Sequence, residues 1–220
     1  MSYLSCVEVE PTHAANAAVI WMHGLGADGH DFEPVVPHLD LATSLAVRFV
    51  FPNAPSIPVT LNNGFVMPAW YDILSLELER RVDETQLRAS AAAVAKLVAR
   101  EQQRGIAAER IIIAGFSQGG AVGFELALTY PARLAGLIAL STYFATQNSV
   151  VPNPANAGLA VMIGHGSHDP MVDDRFGQQS AARLRELGYA VEYHSYPIEH
   201  SVSMEEIKDI GRFINARLAS

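Results

Sequence analysis

The sequence predicts an α/β fold in which a mostly parallel central sheet lies between helices on both faces. Three observations carry that expectation. Short apolar or β-branched runs recur along the chain and are mostly continuous rather than alternating, as in strands covered on both sides. Segments with helical spacing separate them. One strand-to-helix boundary, "ERIIIAGFSQGGAVGFELAL" over residues 109 to 128, places a serine between glycines.

The runs come in order at 18 to 22 (AVIWM), 46 to 51 (AVRFVF), 110 to 114 (RIIIA), 136 to 140 (GLIAL), 159 to 163 (LAVMI) and 191 to 196 (VEYHSY). Between the second and third, Leu87, Ala91, Val94 and Val98 recur at helical spacing, with Asp83 as a start signal and Gly105 as a stop, predicting a helix over 84 to 104. A second helix is expected over 118 to 129 and a third directly after Asp173 and Asp174. A fourth begins at Ser203, whose spacing to Glu206 is that of a capping box. Residues 52 to 72 read as a long irregular loop, broken by prolines and an Asn-Asn-Gly turn, and loops of that length are usually functional.

With 220 residues, half of them apolar, the chain is expected to form one domain over 1 to 220. A net charge of -8 without a Lys/Arg cluster argues against nucleic acid or an anionic membrane as partner. No apolar run approaches bilayer length, so stable membrane insertion is not expected. The opening MSYLSCVEVE lacks the basic start and apolar centre of a secretory signal, and the lone Cys6 has no internal disulfide partner, so a cytoplasmic location is expected. A homodimer is compatible with this composition.

Gly115, Ser117 and Gly119 form G-x-S-x-G between a strand and a helix, a turn that lifts a hydroxyl out of the backbone where helix-end amides favour developing negative charge. The motif by itself arises by chance in about one chain in fifteen of this length, with a helix cap as its bland meaning. Partners decide the matter. A serine nucleophile needs a histidine base and an acid to orient it, in the chain order serine, acid, histidine. Asp169 is the chosen acid because Pro170 keeps it extended in the loop, whereas Asp173 and Asp174 stand where a helix cap is wanted. His200 is the chosen base, just past the last strand; His194 lies within a strand pattern, and His13, His30 and His38 precede the serine. His165, His168 and Asp169 could suggest a metal, but they crowd five residues of loop without a second ligand pair on a helix. Oxyanion donors are expected from the backbone NH groups of Gln118 and of Leu25, in the glycine-bearing loop WMHGLGADGHDF. That loop fits neither dinucleotide nor P-loop patterns.

Six motifs in order, HGLGADGHDF, FPNAP, MPAWYDI, GFSQGG, HGSHDPMV and EHSVSMEEI, resemble the phospholipase/carboxylesterase family of α/β-hydrolases, over about residues 18 to 216. The family includes bacterial carboxylesterases and acyl-protein thioesterases, and the wording GADGHDF looks nearer the former. The resemblance implies the α/β-hydrolase fold without a large lid domain, the triad Ser117, Asp169 and His200, oxyanion donors at Leu25 and Gln118, and the 52 to 72 loop as acyl-side wall. Leu25, Phe65, Met67, Trp70, Tyr71, Met171 and Val172 are therefore expected to contact substrate, an apolar set suited to an uncharged acyl chain. The expected activity is cleavage of carboxylic esters with short to medium acyl chains through an acyl-enzyme, with no cofactor and no metal. Thioester or lysophospholipid cleavage is the alternative within enzymes, and a non-catalytic hydrolase-like binding module the alternative outside them.

Overall fold

The structure, a computed structural model, describes residues 3–75 and 81–219. Its main sheet has seven strands: β1 (Cys6–Val9), β2 (Ala17–Met22), β3 (Val47–Pro52), and, after the insertion described below, Ile111–Phe116, Gly136–Leu140, Ala160–Gly166 and Ala190–Tyr196. The insertion holds two small hairpins, β4 (Ser56–Val59) with β5 (Phe65–Pro68) and β6 (Ile73–Ser75) with β7 (Arg81–Val82), so the last four main strands are β8 to β11. The order across the sheet is β1-β3-β2-β8-β9-β10-β11. Only β1 runs antiparallel, along β3; the other pairings are parallel.

The continuous apolar runs became the covered strands. Every residue of β2 and β8 is buried, whereas β11, at the edge, alternates. Helices α1 (Glu84–Gln103), α2 (Gln118–Thr129) and α3 (Asp174–Glu186) cover one face, and Leu87, Ala91, Val94 and Val98 of α1 join the core there. Helix α4 (Met204–Leu218) covers the other face with Ile207, Ile210, Phe213 and Ile214. Asp83 caps α1 by accepting from the Gln86 amide, and Gly105, at φ 94°, ends the segment in the left-handed region that glycine enters freely. No described helix is long and apolar enough to cross a membrane.

Two expectations need correction. Residues 52 to 72 are only partly irregular: Pro58 and Pro68 sit in a two-stranded hairpin whose strands are both edges, where proline is tolerated, while Pro52 ends β3 and Pro55 lies between β3 and β4. Asn63 (φ 55°) and Gly64 (φ 76°) make its turn. The capping box at α4 is half formed. Ser203 Oγ accepts from the Glu206 amide at 3.1 Å, but the Glu206 carboxyl turns inward over Gly164, fully buried and with no hydrogen-bond partner among the described residues. Burial pushes that carboxyl up to about 8.

The chain moves from β2 outward to β3, then returns to add β8, β9, β10 and β11 on the other side. The carboxyl ends of β2 and β8 thus flank the point where strand order reverses, the crevice in which such sheets bind ligands.

Candidate active site

Ser117 follows β8 and caps α2 with φ 53° and ψ -118°, an unfavourable conformation for a residue with a side chain. Its neighbours explain how the chain tolerates it. A Cβ on Gly115 would lie 2.3 Å from the Gly119 backbone, and one on Gly119 would lie 2.5 Å from the Met22 carbonyl. Glycine at both positions lets strand, turn and helix close on one another. Ser117 NH donates to Leu140 O at 2.9 Å and Thr142 Oγ1 donates to Ser117 O at 2.6 Å, tying the turn to β9 and its extension.

Asp169 follows β10 and His200 follows β11, neighbouring strands in register from Ala160↔Ala190 to Gly166↔Tyr196. That register brings the two loops together. His200 Nδ1–H donates to Asp169 Oδ2 at 2.6 Å, and the other oxygen, Oδ1, accepts from the Met171 and Val172 amides at 2.8 Å each. Burial alone would raise the Asp169 carboxyl; the hydrogen bonds from His200, Val172 and Met171 outweigh it and hold the group below the usual carboxylate range. His200 Nε2 is thereby left as the acceptor nitrogen, and the ring leans on Phe116 at 4.7 Å between centroids. Asp173 caps α3 instead, accepting from the Arg175 amide. His165 is buried with Nε2–H donating to Val172 O at 2.7 Å, which braces the same turn from below. His168 is exposed and His194 faces Asp209 and Glu192, so these three histidines do not converge.

The loop after β2 is stapled in place. His23 Nδ1–H donates to Gly24 O at 2.7 Å, its Nε2 accepts from Ala54 NH at 3.1 Å, and the Trp70 indole donates to His23 O at 2.9 Å. Burial lowers the His23 imidazole below its ordinary value, in keeping with a neutral ring accepting at Nε2. Gly26 NH donates to Pro68 O at 2.8 Å. From the other side the Gln118 side chain accepts from Trp70 NH and donates to Tyr71 O. Leu25 and the first residue of α2 therefore face one space across a hydrogen-bonded frame.

That space is a cleft of about 280 Å³ lined by Leu25, Ser117, Gln118, His200, Met171 and Val172, with Ala27, Asp31, Leu61, Ile73, Phe116 and Tyr143. Ser117 and His200 thus open onto the same volume. Four residues expected to contact substrate do not line it. Trp70 and Tyr71 are buried, the former spent on His23 and the latter with its hydroxyl against that of Tyr143 at 2.9 Å. Phe65 points to solvent from the hairpin, and Met67 is half-buried with its sulfur accepting from Asn62. Leu61, Ile73, Tyr143 and Asp31 take their places. Leu61, Ile73 and Asp31 lay inside motifs or loops already singled out, while Tyr143 follows β9 with no local signal. A larger groove of about 730 Å³ lies at the amino ends of the strands, among Arg110, Arg133 and Arg217, away from all of these groups.

A parallel sheet with helices on both faces and a serine raised on a glycine-flanked strand-to-helix turn defines an α/β-hydrolase. The comparisons narrow the class. Residues 5–218 match the phospholipase/carboxylesterase family, and the chain belongs to it. It is similar to the acyl-protein thioesterase 1 of Neurospora crassa, 40% identical over 213 residues that cover 92% of this chain and 87% of the relative. Among solved structures, SOBER1 of Arabidopsis thaliana superposes with a TM-score of 0.86 at 31% identity, covering 93% of this chain and all of that one. The acyl-protein thioesterase 2 of Zea mays gives 0.84 at 27% identity, over 98% of this chain and all of that one.

Proposed function

We propose that the protein is a serine esterase that cleaves short to medium acyl esters through an acyl-enzyme. The observation that carries this is the Asp169–His200 pair opening, with Ser117, onto one largely apolar cleft. In this reading His200 Nε2 takes the proton of Ser117 as its oxygen attacks the acyl carbonyl. The tetrahedral oxyanion is held by the amides of Leu25 and Gln118, which the loop after β2 and the amino end of α2 present. Collapse passes the proton from His200 to the departing oxygen or sulfur, and water repeats the cycle to release the acid. Asp169 keeps the proton on Nδ1 and supports the imidazolium that forms. No cofactor or metal enters this cycle.

A thioester substrate is the second reading, supported by the relatives named acyl-protein thioesterases. Leaving-atom chemistry does not change the roles above. A cytoplasmic setting accompanies both readings; there burial pushes the half-buried Cys6 thiol up to about 11, which makes it a poor nucleophile at neutral pH.

The test is covalent labelling with a fluorophosphonate beside turnover on matched oxygen and thiol esters of increasing acyl length. Wild type should label once, and Ser117→Ala should lose both labelling and roughly 10⁴ to 10⁶-fold in turnover while keeping its fold. Near wild-type turnover in Ser117→Ala would remove the serine from the mechanism. Absence of labelling with intact fold in wild type would favour a binding module.

A further inference from the structure

We propose that Asp31 selects substrates by the charge of the leaving group, favouring alcohols or thiols that carry a cation and disfavouring those that carry a carboxylate. The inference rests on the esterase reading and adds a polarity to its substrate. Among the described residues lining the cleft, Asp31 is the one carboxylate, and no lysine or arginine lines it. The described residues also give it no ion pair. The ionisable groups that reach it are the His23 ring and Asp28, and the latter only adds negative charge. Asp31 stands exposed at the rim, yet desolvation by the cleft wall still raises its carboxyl, the mark of a negative charge with little compensation.

Position says which half of the substrate meets it. Asp31 adjoins Phe32, whose ring is 5.6 Å from that of Phe116, which in turn lies 4.7 Å from His200. The backbone at Asp31 is thereby tied to the His200 side of the cleft, and the proposal places the carboxylate there. The leaving atom must reach His200 to collect its proton, so the leaving group lies on that side too. An acyl chain gains nothing beside a carboxylate and instead finds Leu61, Ile73 and Tyr143, which come from other segments. The cleft thus separates an apolar half for the acyl chain from a negative rim for the alcohol or thiol.

The test uses three S-propionyl thioesters that share an acyl group and differ in charge: those of thiocholine, 2-mercaptoethanol and mercaptoacetate. Thiol release is followed in wild type, Asp31→Asn, Asp31→Lys and Ser117→Ala. Because the free thiols differ in reactivity, the informative quantity is the cationic-to-anionic ratio of kcat/KM, compared between proteins; within one preparation it also cancels the folded fraction. That ratio should fall about tenfold from wild type to Asp31→Asn at low salt, with the change carried by KM, fall further in Asp31→Lys, and shrink in wild type as salt is added. A ratio that moves less than twofold in both Asp31 variants, while Ser117→Ala is inactive on all three thioesters, overturns the role of Asp31 alone. Turnover surviving in Ser117→Ala overturns the esterase reading beneath it.

Discussion

The turn that carries Asp169 and the hairpin of β4 and β5 both border the cleft, but they are held differently. In the turn, both carboxylate oxygens are engaged, the acid is buried, and His165 supports the backbone from beneath. In the hairpin, Leu61, Phe65 and Val66 are exposed, and the turn rests on Asn63 and Gly64. On the proposed esterase reading, the contrast separates two kinds of demand. Proton transfer needs heavy atoms held within hydrogen-bond reach, so its support must be rigid. Binding an apolar chain needs area rather than fixed geometry, so its walls can come from a marginal two-stranded ribbon.

The largest expected effect tests the rigid side. Asp169→Asn should cost about 10⁴-fold in kcat, because the amide no longer selects the Nδ1–H form of His200, while Asp173→Asn, which keeps the capping oxygen, leaves kcat and stability close to wild type. Kinetics and denaturation of the two variants check this. Comparable kinetic losses would erase the distinction between acid and cap. The next effect tests the soft side. Leu61→Ala and Ile73→Ala should each lower kcat/KM on hexanoyl relative to acetyl esters by about tenfold, from lost methylene contacts. Trp70→Ala should instead destabilise the fold by about 3 to 5 kcal/mol and depress all chain lengths alike, since it opens a cavity and frees the His23 carbonyl. A chain-length profile for each variant, with a melting curve, distinguishes the two. Selective loss of long chains in Trp70→Ala would return that residue to the acyl wall.

The smallest effect concerns Glu206, beneath the segment that bears His200. Its carboxyl titrates at about 8 in the folded protein against an ordinary 4.5, so the native state keeps a proton that the unfolded chain releases. Stability from this group is complete below the ordinary value and drains away as pH rises towards 8. Glu206→Gln cannot titrate. Its Tm should therefore fall less between pH 5 and pH 8 than that of wild type, by about 10 °C, measured calorimetrically. Identical declines would mean that Glu206 finds a partner or water when charged.

The sequence was most readable where local chemistry forces the outcome. Continuous apolar runs became β2 and β8 because nothing but burial on both faces suits them, and a serine between glycines can be held on so tight a turn. The cap at Asp173 was legible from the helix that needs one, and the place of Asp169 in the loop beside His200 from the proline that follows it. The four strands of the small hairpins were not legible, being short, proline-bearing or two residues long, with only Val59 and Ile73 fully covered. Nor was the cleft lining. Trp70 and Tyr71 look like pocket residues in sequence, and only bonds to His23 and to Gln118, nearly fifty positions away, turn them inward. Tyr143 enters from beyond β9 by topology alone.

The hydrogen bonds around Ser117 bear on how the molecule fluctuates. Its amide and carbonyl are both bound to the segment running out of β9, Gly119 is pressed beneath the Met22 and His23 carbonyls, and Gly120 fits against Thr142. The turn is therefore a rung shared by three strands. For its backbone to leave the positive φ that lifts the hydroxyl, β8 would have to part from its neighbours, and those are the most deeply covered strands of the sheet. The free energy of relaxing that one peptide is thus tied to that of unfolding the whole core.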